Sequence, residues 1–296
     1  MKGGGFSSLR TGLAGTGPLP IESDARNGTG QEFLIGLGRA FAGALIFSMP
    51  MLMTMEMWWL GFYMSPLRLA LLLVLLIPLL IGLSRIGGIR QTVHLLDDVA
   101  DAFVAIAVAC IAAAITLWIF GLLTPAMPLR EIIGKVALQV FPGSIGAMLA
   151  QNQLGGGGGA GEREAEQSYW GEMFLMVAGA LFLSLNVAPT EEMVLIAYKM
   201  TVWQDIGLAA LSLVLMHVIV YAAGFSGAEE AHPAESFLSV FARFTVAGYA
   251  AVFLVSLYIL WTFGRTDGLG LEQLLSIAVV LSFPGAIGAA SARLIL

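Results

Sequence analysis

Eight long apolar segments follow one another along this chain of 296 residues and decide what it can fold into. A helix needs about twenty mostly apolar residues to cross a bilayer. The segments are continuous apolar runs, whereas the strands of a membrane β-barrel are short and alternate. The sequence therefore predicts an all-α membrane protein with spans at 33–64, 66–86, 99–123, 130–150, 170–200, 203–225, 236–264 and 271–295.

The composition supports this class. The chain is 58% hydrophobic and 11% charged, with a mean hydropathy of +0.88. A soluble domain carries about 25% charged residues, so too little polar surface remains here to cover a water-soluble globule. The net charge of −6 argues against nucleic acid as a partner. A single cysteine excludes an internal disulfide.

Two parts of the chain resemble each other. After a shift of 136 residues, GALIFSMPMLMTMEMWWLGFYM (43–64) aligns with GALFLSLNVAPTEEMVLIAYKM (179–200), and both contain Thr-x-Glu-Met. Leucine and alanine matches arise easily by chance in membrane sequences, but this motif does not. The alignment indicates an internal duplication.

Two further pairs of motifs recur in the same order. LWIFG (117–121) matches LWTFG (260–264), and FPGSIGA (141–147) matches FPGAIGA (283–289). The sequence predicts a bundle of two tandem four-helix repeats, 33–151 and 169–296. Four spans in each repeat give both the same orientation. If one segment of each half is re-entrant, each half has three crossings and the repeats are inverted.

Two segments outside the repeats are polar or rich in glycine. Residues 1–32 are rich in Gly, Ser, Thr and Pro and are predicted to be a disordered tail. Residues 152–168 combine a run of glycines with acidic residues and are predicted to be a solvated linker.

Glu56 and Glu192 occupy equivalent positions within apolar segments. An ionised carboxylate at the centre of a span costs about 2.5–3.5 kcal/mol on insertion scales. Pro50 and Pro189 lie just upstream, and a proline inside a helix frees a carbonyl that needs another partner. A broken helix beside a carboxylate predicts a site for a small cation or proton. The alternative is a protonated glutamate, or one that reaches the membrane interface.

Other polar residues extend this predicted ion or proton site. Thr54 and Thr190 precede the two glutamates, and the second copy adds Glu191 and Asn186. His217 is a lone imidazole in the sixth segment. It is interpreted either as part of a proton relay or as an interhelical hydrogen bond.

The two Phe-Pro-Gly motifs lie near the middle of the fourth and eighth segments. Pro142 with Gly143, and Pro284 with Gly285, are predicted to break these helices and to provide hinges or kinked pore-lining segments. The alternative is a tight crossing of helices on small residues.

No nucleophile with a base, nucleotide motif or metal-ligand cluster is visible, so neither an enzyme nor a cofactor is predicted. The leading hypothesis is a secondary transporter or channel for a small cation or proton. The alternative is a membrane scaffold or assembly partner that transports nothing. Eight Lys and Arg on one side against five on the other predict cytoplasmic N- and C-termini.

From about residue 33 the chain resembles a family of uncharacterised bacterial integral membrane proteins. The doubled Thr-x-Glu-Met and Phe-Pro-Gly segments, the length and the order of segments carry the resemblance. It implies a multispanning bundle with about seven crossings, a bacterial inner-membrane location and a small partner protein. It implies no activity and no functional residues.

Overall fold

The computed structural model describes residues 21–86, 95–154, 169–224 and 241–295. In these ranges the regular elements are all helices: α1 (Ile21–Leu52), α2 (Met55–Tyr63), α3 (Pro66–Ile86), α4 (Leu95–Ile119), α5 (Leu129–Leu154), α6 (Tyr169–Val187), α7 (Glu192–Lys199), α8 (Val202–Gly224), α9 (Ala247–Thr262) and α10 (Leu271–Ile295). A π-helical turn, Phe241–Val246, leads directly into α9.

Eight of the helices in the described ranges are long and apolar enough to cross a membrane. They are α1, α3, α4, α5, α6, α8, α9 with its π-helical turn, and α10. The predicted all-α bundle with eight membrane-length helices is confirmed. We call the side of the membrane on which the span of α1 begins the proximal side, and the other the distal side.

Two predicted boundaries change. α1 begins at Ile21, so the part of the predicted tail after residue 20 is helical, and residues 1–20 lie outside the described residues. The predicted linker is likewise shortened because α5 extends to Leu154, and the rest of it is not among the described residues.

The predicted breaks at the Phe-Pro-Gly motifs are not found. α5 runs without interruption through Pro142, and α10 runs through Pro284. The second glycine of each motif instead allows helices to approach closely. Gly146 packs on Gly43 of α1, and Gly288 packs on Gly179 of α6, with no space for a Cβ atom at any of the four. The motifs are therefore crossing points, the alternative interpretation of the sequence.

Each half of the chain packs chiefly within itself. α1 and α4 lie against α5 in the first half, and α6, α8 and α9 lie against α10 in the second. The order of elements is also the same: a long helix, a break, a short helix and three more long helices. This parallel supports the predicted duplication.

The two halves meet over a narrow region. The rings of Phe47 and Phe182 lie 4.7 Å apart, and Gly82 faces the ring of Phe174. On the distal side, Arg68 forms a bidentate ion pair with Asp267, with both N–O distances 2.9 Å. An apolar cavity of about 460 Å³ lies between the two halves and is lined in part by Phe47 and Phe182. We call it the central cavity.

Candidate functional site

The first helix break lies at Met53 and Thr54, between α1 and α2, a few residues after Pro50. The carboxamide of Gln139, from α5, reaches into the turn before it. With the amide assigned in the orientation that pairs both of its atoms, its nitrogen donates to the Ser48 carbonyl (3.1 Å) and its oxygen accepts from the Leu52 amide (3.3 Å). Residues four apart normally pair with each other in a helix, so the side chain is inserted into the backbone ladder.

The other backbone groups at this break also have partners. The Trp58 indole Nε1 donates to the Leu52 carbonyl (2.9 Å), and the Thr54 hydroxyl donates to the Met51 carbonyl (2.7 Å). Protein side chains thus pair with the carbonyls of Ser48, Met51 and Leu52 at this break. The first break needs no ion to complete it.

The second break lies between Val187 and Glu192 and is closed by a protein cation. The guanidinium of Arg265 donates to the carbonyl of Pro189. Its other nitrogen lies 3.8 Å from the carboxylate of Glu191, which is 70% exposed. The Thr190 hydroxyl donates to the Val187 carbonyl (2.8 Å). Arg265 occupies the position that the sequence analysis gave to a transported ion.

Glu56 and Glu192 have a local structural role in common. Each lies in the first turn of a short helix, α2 or α7, that follows a break. A negative charge there interacts favourably with the positive end of the helix dipole. Glu56 is partly buried and Glu192 is exposed, and neither lines the central cavity. The structure therefore does not bring the two glutamates together at a shared cavity among the described residues.

A cluster of buried hydroxyls lies in the middle of the second half. Ser184, Ser256 and Ser282 are fully buried, from α6, α9 and α10. The hydroxyls of Ser256 and Ser282 are hydrogen-bonded to each other at 3.2 Å. The Ser184 hydroxyl has no partner among the described residues, and a Cβ atom at Gly285 would lie 2.7 Å from it. Glycine at 285 thus makes room for a polar group.

Asn186 continues this cluster toward the second break. Its Nδ2 donates to the Phe182 carbonyl (2.8 Å), but its Oδ1 has no partner among the residues described. The residue is only 8% exposed. An unpaired acceptor at such a depth costs about 1–3 kcal/mol. A water molecule or a proton donor would remove that cost.

Further polar groups continue toward the proximal side. The Tyr249 hydroxyl of α9 lies near Ser212 of α8 but makes no hydrogen bond within the described residues. One turn nearer the proximal side, His217 Nδ1 lies 2.8 Å from the Thr245 hydroxyl. The interhelical hydrogen bond, one of the two interpretations of His217 from the sequence, is therefore present. Thr245 to Ser256 spans about 16 Å at 1.5 Å per residue, roughly half of the hydrocarbon thickness.

We call this set of side chains the polar column: His217, Thr245, Ser212, Tyr249, Ser256, Ser282, Ser184 and Asn186. The first half has apolar residues at most of the equivalent positions. The alignments of the duplicated motifs place Ala113 opposite Ser256, Val140 opposite Ser282 and Ile81 opposite His217. The polar column is thus a feature of the second half.

Sequence reasoning missed Gln139, Arg265 and the serines of the polar column. Gln139 is a single amide in an apolar run, and its partners lie on another helix. The column had a weak signal, because Thr245, Tyr249 and Ser256 recur on one face of α9. The same spacing is common in helices whose hydroxyls only bond their own backbone.

Comparison with known proteins places the chain in a family. No curated protein and no solved structure matches it. A family described as "Putative integral membrane protein (DUF2391)" matches residues 36–296, which include all eight membrane-length helices apart from the start of α1. The chain therefore belongs to this family of integral membrane proteins, as the resemblance of its sequence indicated.

Proposed function

We propose that the protein is a transport protein that conducts protons through its second half, along the polar column. The observation that carries the proposal is a set of buried polar side chains with unsatisfied atoms, Ser184 and Asn186, beside a helix break. Unpaired polar atoms are costly inside a membrane. In the first half, Pro50 stands opposite Asn186, while Ser48 stands opposite Ser184.

The chemistry of the column suits a proton better than a metal ion. Hydroxyl and imidazole groups both donate and accept hydrogen bonds, so a proton can pass from one to the next. Metal ions need several oxygen ligands around one point, and the described residues hold no group of three or more His, Cys, Asp or Glu that could bind one. Proton transfer needs only a chain of single contacts, with water in the gaps.

The column is interrupted at Val252. This side chain is fully buried on α9 between Tyr249 and Ser256, and a Cβ atom at Gly285 would lie 2.9 Å from it. Apolar constrictions close pores by excluding water. We assign Val252 as the barrier that separates the proximal and distal parts of the column in this closed state.

The glutamates and Arg265 have positions at the distal end of this path. Arg265 closes the second break, and Glu191 offsets its charge at 3.8 Å. Displacement of the guanidinium from the Pro189 carbonyl would give water access to Asn186. Glu192 and Glu56 are then surface groups of the distal side that lie outside the path.

The test is proton flux into liposomes that contain the purified protein and a pH-sensitive dye, driven by a potassium diffusion potential. Val252→Ser should raise proton flux severalfold because a hydroxyl bridges the gap. Val108→Ser, a buried valine of α4 in the first half, is the matched control and should leave the flux unchanged. In the Val252→Ser background, Ser256→Ala should lower it again.

Two outcomes distinguish this proposal from its rivals. Flux that falls in Glu56→Gln and Glu192→Gln, but not in Ser256→Ala, would return the path to the glutamates. No flux of H⁺, Na⁺, K⁺ or Ca²⁺ above that of protein-free liposomes, in the wild type and in Val252→Ser, would favour a scaffold that assembles with a small partner protein.

We further propose that the proximal side faces the cytoplasm of a bacterial cell.

A further inference from the structure

The central cavity lies between the two halves of the bundle, within the membrane-spanning helices. Its wall is formed by α1 and α5 of the first half and α6 and α10 of the second, with Leu83 of α3 at one side. Small residues make the space. Gly43 and Gly179 lie at equivalent positions of α1 and α6 and face the cavity from opposite halves.

The lining is apolar apart from one hydroxyl. Phe47, Phe182 and Ile145 contribute large apolar surfaces, and Ser291 contributes the polar group. Apolar cavities of this kind stay free of water. An empty space of about 460 Å³ would also deprive the lining of packing contacts on one side. The physical expectation is therefore an apolar occupant from the surrounding bilayer.

The size and depth of the cavity restrict that occupant. A hydrocarbon chain, which is much thinner than a helix of about 10 Å diameter, suits a cavity of about 460 Å³ better than a partner helix does. Along α10, the lining runs from Gly288 to Ala292, next to the proximal end of that span. The lining residues of α3 and α5 are also proximal, and those of α1 and α6 lie near the middle of their spans, so the cavity extends from mid-membrane toward the proximal side.

We propose that the central cavity binds one acyl chain of a phospholipid from the proximal leaflet. The headgroup then lies at the proximal end, level with the ion pair between Arg293 and Glu172 (2.7 Å). The bound chain fills the space that lies between the ring contact of Phe47 with Phe182 on one side and the two glycine crossings on the other. The two halves have few direct contacts in this region. The lipid serves as part of the joint between the halves, whether or not the polar column conducts protons.

The primary test uses the wild-type protein in liposomes that contain a phospholipid with a photoactivatable diazirine near the end of its acyl chain. After illumination, mass spectrometry locates the labelled residues. We expect labelling of Phe47 and Phe182 to exceed that of the exposed face of α3 severalfold. Labelling spread evenly over the lipid-facing helices would overturn the proposal.

A pair of matched variants provides the control. Ala42 lines the cavity and is exposed at its rim, so Ala42→Trp should fill the entrance and lower labelling of Phe182 severalfold. Ala70→Trp adds the same side chain on the exposed face of α3 and should change nothing. Equal labelling of Phe182 in the two variants would contradict an acyl chain in the cavity.

The chemical nature of the occupant is measured separately, on the wild-type protein alone. After extensive washing in detergent, native mass spectrometry should find about one phospholipid for each chain, as expected for a single enclosed site. Retention of an isoprenoid quinone in its place, or of no lipid, would overturn the assignment. This measurement stays decisive even if Ala42→Trp fails to fold.

Discussion

Arg265 closes the second helix break by donating a hydrogen bond to the carbonyl oxygen of Pro189, 76 residues earlier in the chain. The guanidinium reaches back from the loop after α9 to the end of α6, so it joins two helices of the second half. A proline cannot supply an amide donor for the preceding turn. Arg265 provides the positive charge and the donor that the unwound backbone needs.

Replacement of this residue tests the role of the guanidinium. Arg265→Met should lower the free energy of unfolding by about 1–3 kcal/mol, because the Pro189 carbonyl is left without a donor. The measurement is thermal or denaturant unfolding in detergent. Arg130→Met removes an arginine that is exposed at the start of α5, and should have little effect. Equal loss in both variants would show that only overall charge matters.

The first break makes a parallel prediction through a neutral side chain. Gln139→Leu removes the amide that bridges Ser48 and Leu52, and should destabilise the protein by about 1–3 kcal/mol. Leucine is the residue that the duplicated motif places at the equivalent position, Leu281, so the substitution suits a buried site. Gln273→Leu, at an exposed position of α10, is the control. A gain in stability for Gln139→Leu would show that the first turn can close without the amide.

Because α6 and α10 cross on glycines, the stability of the protein should depend strongly on the addition of one methyl group there. Gly179→Ala should destabilise the protein by about 1–3 kcal/mol, because the added carbon meets the Gly288 backbone and forces α6 away from α10. Gly207→Ala is the control, since a Cβ atom there has nothing within 4 Å. Melting temperatures in one detergent allow the comparison. Similar melting temperatures for both variants would mean that α6 and α10 can move apart at this crossing without loss of stability.

The ion pair between Arg68 and Asp267 predicts a dependence of stability on pH. The hydrogen bonds from Arg68 hold the pKa of the Asp267 carboxyl below its ordinary value. A carboxyl with a lowered pKa in the folded state stabilises the fold above its unfolded pKa, about 3.9 for aspartate. That contribution is lost as the pH falls through the lower, folded pKa.

Asp267→Asn is the measurement that isolates this pair. The melting temperature of the wild type should exceed that of the variant at neutral pH. The difference should begin to shrink below about pH 4 and vanish once the pH is below the lower, folded pKa. The effect is small because the carboxylate is 59% exposed. A constant difference down to the most acidic pH would assign the effect to packing of the side chain.

The spans were predictable from sequence because their signal is local. Each span is a continuous apolar run, and length with hydropathy identified all eight. The two internal breaks were also foreseeable in part, because Pro50 and Pro189 mark them. Proline alone was a poor guide, since Pro142 and Pro284 lie inside unbroken helices. The difference lies in the neighbouring segments, since Gln139 of α5 and Arg265 of the loop after α9 reach the breaks.

The candidate site was harder to predict because it depends on contacts between distant segments. The glutamates were prominent in the sequence, yet each begins a short helix at the distal side. Ser184, Ser256 and Ser282 are individually ordinary residues for membrane helices. What distinguishes these serines from other hydroxyls in membrane helices is that they lie together beside Asn186 and that one hydroxyl, that of Ser184, has no partner among the described residues.

The packing of each half chiefly within itself has a consequence for biosynthesis. α1 finds its main partner, α5, before any residue of the second half needs to be translated. A chain that ends at Leu154 already contains both glycines of the contact between Gly43 and Gly146. Domains of a long chain tend to fold as units in the order of synthesis. The first half would then already be folded in the bilayer and would present the surface on which the second half assembles.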